Sequence, residues 1–152
     1  MTQAVVQETI HATAIVVGEM GVLIRGRSGS GKSTLARQIV QNIQKEGRFA
    51  RLISDDRVCL TRVNGRLVAS RISAIEGMLE IRGMGIMSVL SIEAAVVGLV
   101  VDCGEKPERL PCSCDIMTTL LDIPLQRIAI NGFIDAAERV IWFMAQRENP
   151  EV

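Results

Sequence analysis

Aromatic side chains are scarce in this chain, with three Phe, one Trp and no Tyr among 152 residues. That excludes the stacked aromatic platform of single-strand nucleic-acid binders and requires an aliphatic core. Histidine is scarcer still: His11 stands alone, and Cys112-x-Cys114 lacks both the spacing and the second pair of a zinc site. Charge of one sign is missing too, since 17 basic residues balance 17 acidic ones. Bulk electrostatics therefore point to neither nucleic acid nor a membrane surface, and any phosphate affinity must be local. The longest apolar run, Ala94–Val101, is eight residues, against the ~20 a membrane helix needs. The amino terminus has no basic-then-apolar leader, so a cytoplasmic chain with reduced cysteines is expected. The length suits one domain spanning 1–152, with residues 1–8 frayed.

Against these absences stands Gly26-Arg27-Ser28-Gly29-Ser30-Gly31-Lys32-Ser33, which fits G-x-x-x-x-G-K-[ST]. Glycines let the backbone coil and turn N–H groups inward, and a helix starting near Lys32 adds partial positive charge. Gly26, Ser28, Gly29, Ser30, Gly31, Lys32 and Ser33 are the expected nucleotide-binding residues, with Lys32 on the terminal phosphates and Ser33 on magnesium. At average frequencies such a match arises by accident on the order of once in a hundred chains of this length. Its context lowers that further, because apolar Val22-Leu23-Ile24 precedes it and helical periodicity follows.

Ile10–Val17 reads as a strand, and Gly18–Gly21 turns it into Val22–Arg25. Pairing Val17 with Val22 would put His11 opposite Ser28, either beside the phosphates or idle at a strand end. Residues 32–45 form an amphipathic helix through Leu35, Ile39, Val40 and Ile43, and Phe49–Ser54 forms a strand. A right-handed crossover then makes that strand parallel to the first, so Asp55 and Asp56 emerge beside the loop, as functional carboxylates or as a turn. Asn64-Gly65 predicts a hairpin over 57–72. Glu80 and Arg82 among Gly83 and Gly85 read, on their own, as readily as a turn with a surface ion pair. Ala94–Val101 is a buried strand, Cys103–Pro111 a polar loop, Leu125–Ile130 a strand, and Phe133–Gln146 a helix whose largest packing group is Trp142.

Ile10-His11, Gly21–Ser33, Leu52-Ile-Ser-Asp-Asp-Arg-Val58 and Leu79-Glu-Ile-Arg-Gly-Met-Gly-Ile86 together resemble the kinase domain of HPr kinase/phosphorylase over about residues 10–110. The resemblance implies an α/β phosphate-loop kinase with a mixed β-sheet, similar to phosphoenolpyruvate carboxykinases. It implies ATP and Mg2+, a serine on the phosphocarrier protein HPr as acceptor, and a reverse reaction with phosphate that gives pyrophosphate. Residue by residue, it implies Asp55 as general base with His11 close by, Lys32 and Arg109 on the transferred phosphate, and Ser33, Glu80 and Asp56 around the metal. It also implies a homo-oligomer, a hexamer by family likeness. The chain begins almost at His11, so the kinase module is expected to stand alone. Gln126–Asn131 does not reproduce the family's basic glycine-containing segment, so C-terminal docking helices are expected to be reduced.

Two other readings use the same loop. A small-molecule kinase would carry a lid with several arginines, and here Arg109 is the only clear candidate. A nucleotide-sensing regulatory subunit would bind ATP without transferring phosphate.

Overall fold

The computed structural model describes residues 5–72, 78–81, 83–88, 90–104, 116–131 and 135–148. In chain order they form β1 (Val6–Ile10), β2 (Thr13–Val17), β3 (Met20–Arg25), α1 (Lys32–Lys45), β4 (Ala50–Ser54), β5 (Val58–Val63) and β6 (Arg66–Ser70). Then follow β7 (Met78–Ile81), β8 (Gly85–Ser88), β9 (Ala94–Cys103), β10 (Met117–Leu120), β11 (Ile123–Ile130) and α2 (Ala136–Glu148).

One mixed sheet runs β1-β5-β6-β9-β3-β2-β4, with β11 on β9 and β10 on β11, and β7 and β8 pair separately. β9 holds the sheet together. Its first residues pair antiparallel with β6, while its second half lies parallel to both β3 and β11. β2 is antiparallel to β3 and β4, so these two point the same way without touching. The expected crossover therefore holds in direction, with β2 inserted between its strands. As a result β3, β4, β9 and β11 all end at one edge, where ligands of open α/β sheets gather.

Strand alternation sorts the apolar residues onto two faces. Ile15, Val17, Val22, Ile24, Leu99 and Val101 pack against Leu35, Ile39 and Ile43 of α1 and Ala137, Val140 and Met144 of α2. On the other face Ala14, Val16, Leu23 and Val100 meet Val58, Leu60, Leu67 and Ala69, where the sheet curls over itself. α1 spans the residues its periodicity predicts, and it closes with Gly47 N–H donating to the Gln44 carbonyl and Arg48 N–H to that of Ile43. At the Asn64-Gly65 turn φ is 51° and 74°, the two left-handed residues that a tight hairpin needs.

Three expectations are corrected and one strand is added. Residues 6–8, taken as frayed, belong to β1, which pairs with β5 through its backbone although its side chains are exposed. The β2–β3 turn is tighter than assumed: Val17 pairs with Met20 and Thr13 with Ile24, so only Gly18 and Glu19 lie between the strands. His11 accordingly falls between β1 and β2, outside that hairpin's pairing. Met117–Leu120 forms a strand too short to show in the pattern. Trp142 is 67% exposed, and the smaller Val140 and Met144 fill the core in its stead.

Candidate active site

The glycine-rich loop leaves β3 at Arg25 and enters α1 at Lys32. Gly26 has φ 152°, and a Cβ there would lie 2.5 Å from Ser30 Oγ and 2.8 Å from the Cys103 carbonyl, so the loop sits tightly on the end of β9. Gly31 caps α1 in the left-handed region at φ 96°, with no side chain on the helix's first N–H groups. Those donors remain available to an anion. Ser30 N–H donates to the Arg27 carbonyl at 3.0 Å. Lys32, only 8% exposed, reaches back across the loop, its Nζ donating to the carbonyls of Gly26 at 2.8 Å and Arg27 at 3.1 Å. Ser30 Oγ is buried without a hydrogen-bond partner among the described residues, an unsatisfied oxygen inside the loop.

β4 delivers Asp55 and Asp56 beside this loop. Asp55 Oδ1 accepts from Ser33 Oγ at 2.7 Å and from Thr13 Oγ1 at 2.8 Å. Asp56 takes the opposite course. Its φ is 70°, a left-handed backbone held in place because Arg57 N–H donates to the Asp55 carbonyl, Ala12 N–H to the Asp56 carbonyl and Ser54 Oγ to the Arg57 carbonyl. Its carboxylate meets His11 Nδ1 at 3.2 Å, and both side chains are about 70% exposed. The two aspartates thus have different surroundings: one is tied to the loop's serine, and the other stands open to solvent with an imidazole.

Behind the loop lies a charged cluster that the pattern did not reveal. Arg25 donates to both oxygens of Asp102, from Nε at 2.7 Å and from Nη2 at 2.8 Å, and Arg127 Nε also donates to Asp102. Burial pushes the Asp102 carboxyl upward, but hydrogen bonds and charge from the two guanidiniums outweigh it and hold the group below its ordinary value. Next to it, burial raises the Cys103 thiol to about 11, against a lowering pull from Lys32. Thr13 was missed as well. The one signal was a polar residue in an otherwise apolar strand, two positions from His11.

The structure thus brings together Lys32, Ser33 and Asp55, with Asp56 and His11 paired at the same edge. Glu80 lies on β7, paired with Ile86, and β7 runs beside α1. The Glu80 side chain and the whole of Arg109 lie outside the described residues. Among the described residues no three His, Cys, Asp or Glu side chains converge on a metal-sized point. Magnesium needs no such cage, because it is usually held by one or two protein oxygens together with substrate phosphates. The Ser33 hydroxyl and Asp55 carboxylate, hard oxygens 2.7 Å apart, fit that donor set.

Comparison with known proteins identifies the family. The model of the HPr Serine kinase C-terminal domain matches residues 2–96. The chain belongs to that family. HPr kinase/phosphorylase of Clostridium tetani is 29% identical over 133 residues, covering 80% of this chain and 41% of the relative. That of Peptoclostridium acidaminophilum is 31% identical over 136 residues, covering 81% and 42%. The chain therefore spans about two fifths of the length of these curated relatives. The solved HPr(Ser) kinase/phosphatase of Coxiella burnetii superposes with a TM-score of 0.74 at 25% identity, covering 95% of this chain and 99% of that one. The mixed, curled sheet is thus the architecture of an HPr kinase. No helix among the described residues is long and apolar enough to cross a membrane.

Proposed function

We propose that the protein transfers the γ-phosphoryl group of ATP to a serine hydroxyl of an HPr-type phosphocarrier and, with inorganic phosphate, runs the reverse reaction to pyrophosphate. The carrying observation is the convergence of Lys32, Ser33, Asp55 and the His11–Asp56 pair at one sheet edge in a member of this family. We read 26–33 as a phosphate loop in a fold of the phosphoenolpyruvate-carboxykinase kind, working in the cytoplasm as a homo-oligomer.

Loop N–H groups and Lys32 bind the phosphates; Nζ leaves the neutral Gly26 and Arg27 carbonyls for phosphate oxygens, whose negative charge pairs with the ammonium. Ser33, Asp55 and Glu80 would hold magnesium, which supplies neutralisation of the charge on the phosphates. The hydrogen bonds favour exchanging the roles first assigned to the two aspartates. Asp55 is engaged with the serine expected on the metal, so it belongs with metal binding. Asp56, exposed and beside His11, is the carboxylate a protein-borne hydroxyl can reach, and it takes the hydroxyl proton in the forward direction. Arg109 is assigned by family likeness to the transferred phosphate.

The acceptor class is tested by following ADP release with Mg·ATP and, in turn, an HPr-type carrier, free serine and simple sugars. Release that depends on the carrier supports the proposal. Faster release with small acceptors supports a small-molecule kinase, and ATP binding without release supports a sensor.

A further inference from the structure

β2 is buried along its whole length, and four of its five residues, Ala14, Ile15, Val16 and Val17, are apolar. Thr13 is the exception, a hydroxyl at 0% exposure. Valine matches threonine in shape, favours strands as strongly and avoids the cost of burying a hydroxyl. The fold therefore has no need of oxygen at this position. What the oxygen does is donate to Asp55 Oδ1 at 2.8 Å, the same atom that Ser33 Oγ approaches at 2.7 Å.

These two donors differ in kind. Ser33 sits at the start of α1, and on the reading above its hydroxyl must adjust when phosphates and metal arrive. Thr13 is fixed by pairing to Ile24 of β3, and its neighbour Ala14 pairs with Ser54 at the end of β4. Its β-branched side chain is stiff at χ1, so its hydroxyl has a narrow range of positions.

Resting on the reading above that Ser33 and Asp55 serve the metal, we propose that Thr13 is a positioning residue that clamps the Asp55 carboxylate in its metal-binding orientation before nucleotide arrives. Without the Thr13 hydroxyl, the donor left on the carboxylate among the described residues is Ser33, the group that on this reading must itself engage the metal. Ordering Asp55 then falls to the binding step, and metal-dependent affinity drops. Phosphate contacts made without metal are unaffected, because among the described residues the Thr13 hydroxyl donates to Asp55 and not to the loop or Lys32.

The test is ADP affinity by calorimetry, with magnesium and with EDTA, for the wild type, Thr13→Val and Thr13→Ser. Loss of a hydrogen bond to a charged group should weaken Mg·ADP binding by Thr13→Val about tenfold. Its ADP affinity in EDTA should equal that of the wild type, and Thr13→Ser should restore the magnesium effect. If Thr13→Val fails to fold, Thr13→Ala against Thr13→Ser isolates the hydroxyl in the same way. Equal Mg·ADP affinities for Val and wild type, or a Ser variant as weak as Val, would overturn the inference. A wild type without magnesium-dependent binding would instead remove the metal reading, and the clamp with it.

Discussion

At the scale of single residues, the proposed mechanism turns on a division of labour between adjacent aspartates. Asn tolerates left-handed φ, so Asp56→Asn should keep the 70° backbone while losing the base. Turnover should fall by a general-base factor of about 10²–10⁴ with ATP binding nearly intact. Asp55→Asn should instead raise the magnesium concentration needed for half-maximal rate. Steady-state kinetics across a magnesium series separates the two, and the reverse pattern would return the base to Asp55. Cys103 illustrates a residue that chemistry leaves aside. With its thiol raised to about 11 by burial, the reactive thiolate is a trace species at neutral pH. Iodoacetamide at pH 8 should spare Cys103 in the native protein and alkylate it in denaturant, as read by peptide mass. Rapid native alkylation would show that the end of β9 opens.

At the scale of elements, Asp102 joins three strands, since Arg25 comes from β3 and Arg127 from β11. Removing its charge takes the Asp102 carboxylate from both guanidiniums. Asp102→Asn should cost about 3 kcal/mol, the low end for a buried pair because Arg25 is partly exposed. The pH dependence follows from the lowered carboxyl. Above its ordinary value of 3.8 the group is charged in folded and unfolded chains alike, and the stabilisation is fully present. As pH falls through the lower folded-state value, Asp102 is protonated in both states and the advantage disappears. Urea midpoints of wild type and variant should therefore differ at pH 7 and draw together as the pH falls through the folded-state value. A gap of constant size would show that the charge contributes nothing.

Which elements are visible before the structure follows from the same physics. α1 announces itself because Leu35, Ile39, Val40 and Ile43 repeat at helical spacing and Gly47 ends it, all within one short window. The hairpin over β5 and β6 is legible from Asn64-Gly65 for the same reason. The Arg25–Asp102 contact spans 77 residues and Thr13–Asp55 spans 42, and no local pattern encodes a partner that distant. β1 escaped notice because an exposed edge strand is stabilised by backbone pairing alone, which leaves no alternation to read. Trp142 misled because helical spacing marks a face without saying how deep each position lies.

At the scale of the whole molecule, one sheet edge gathers the ends of β3, β4, β9 and β11, so loop, carboxylates and ion cluster sit on a shared frame. Curling of the sheet encloses the second apolar layer away from that edge. The proposed function requires a carrier serine as the acceptor. The deciding measurement is the intact mass of an HPr-type carrier after incubation with the protein, magnesium and ATP. A gain of one phosphate is expected, absent when the carrier's target serine is alanine and strongly reduced with Asp56→Asn. An unchanged mass, with ATP shown to be bound, would contradict it.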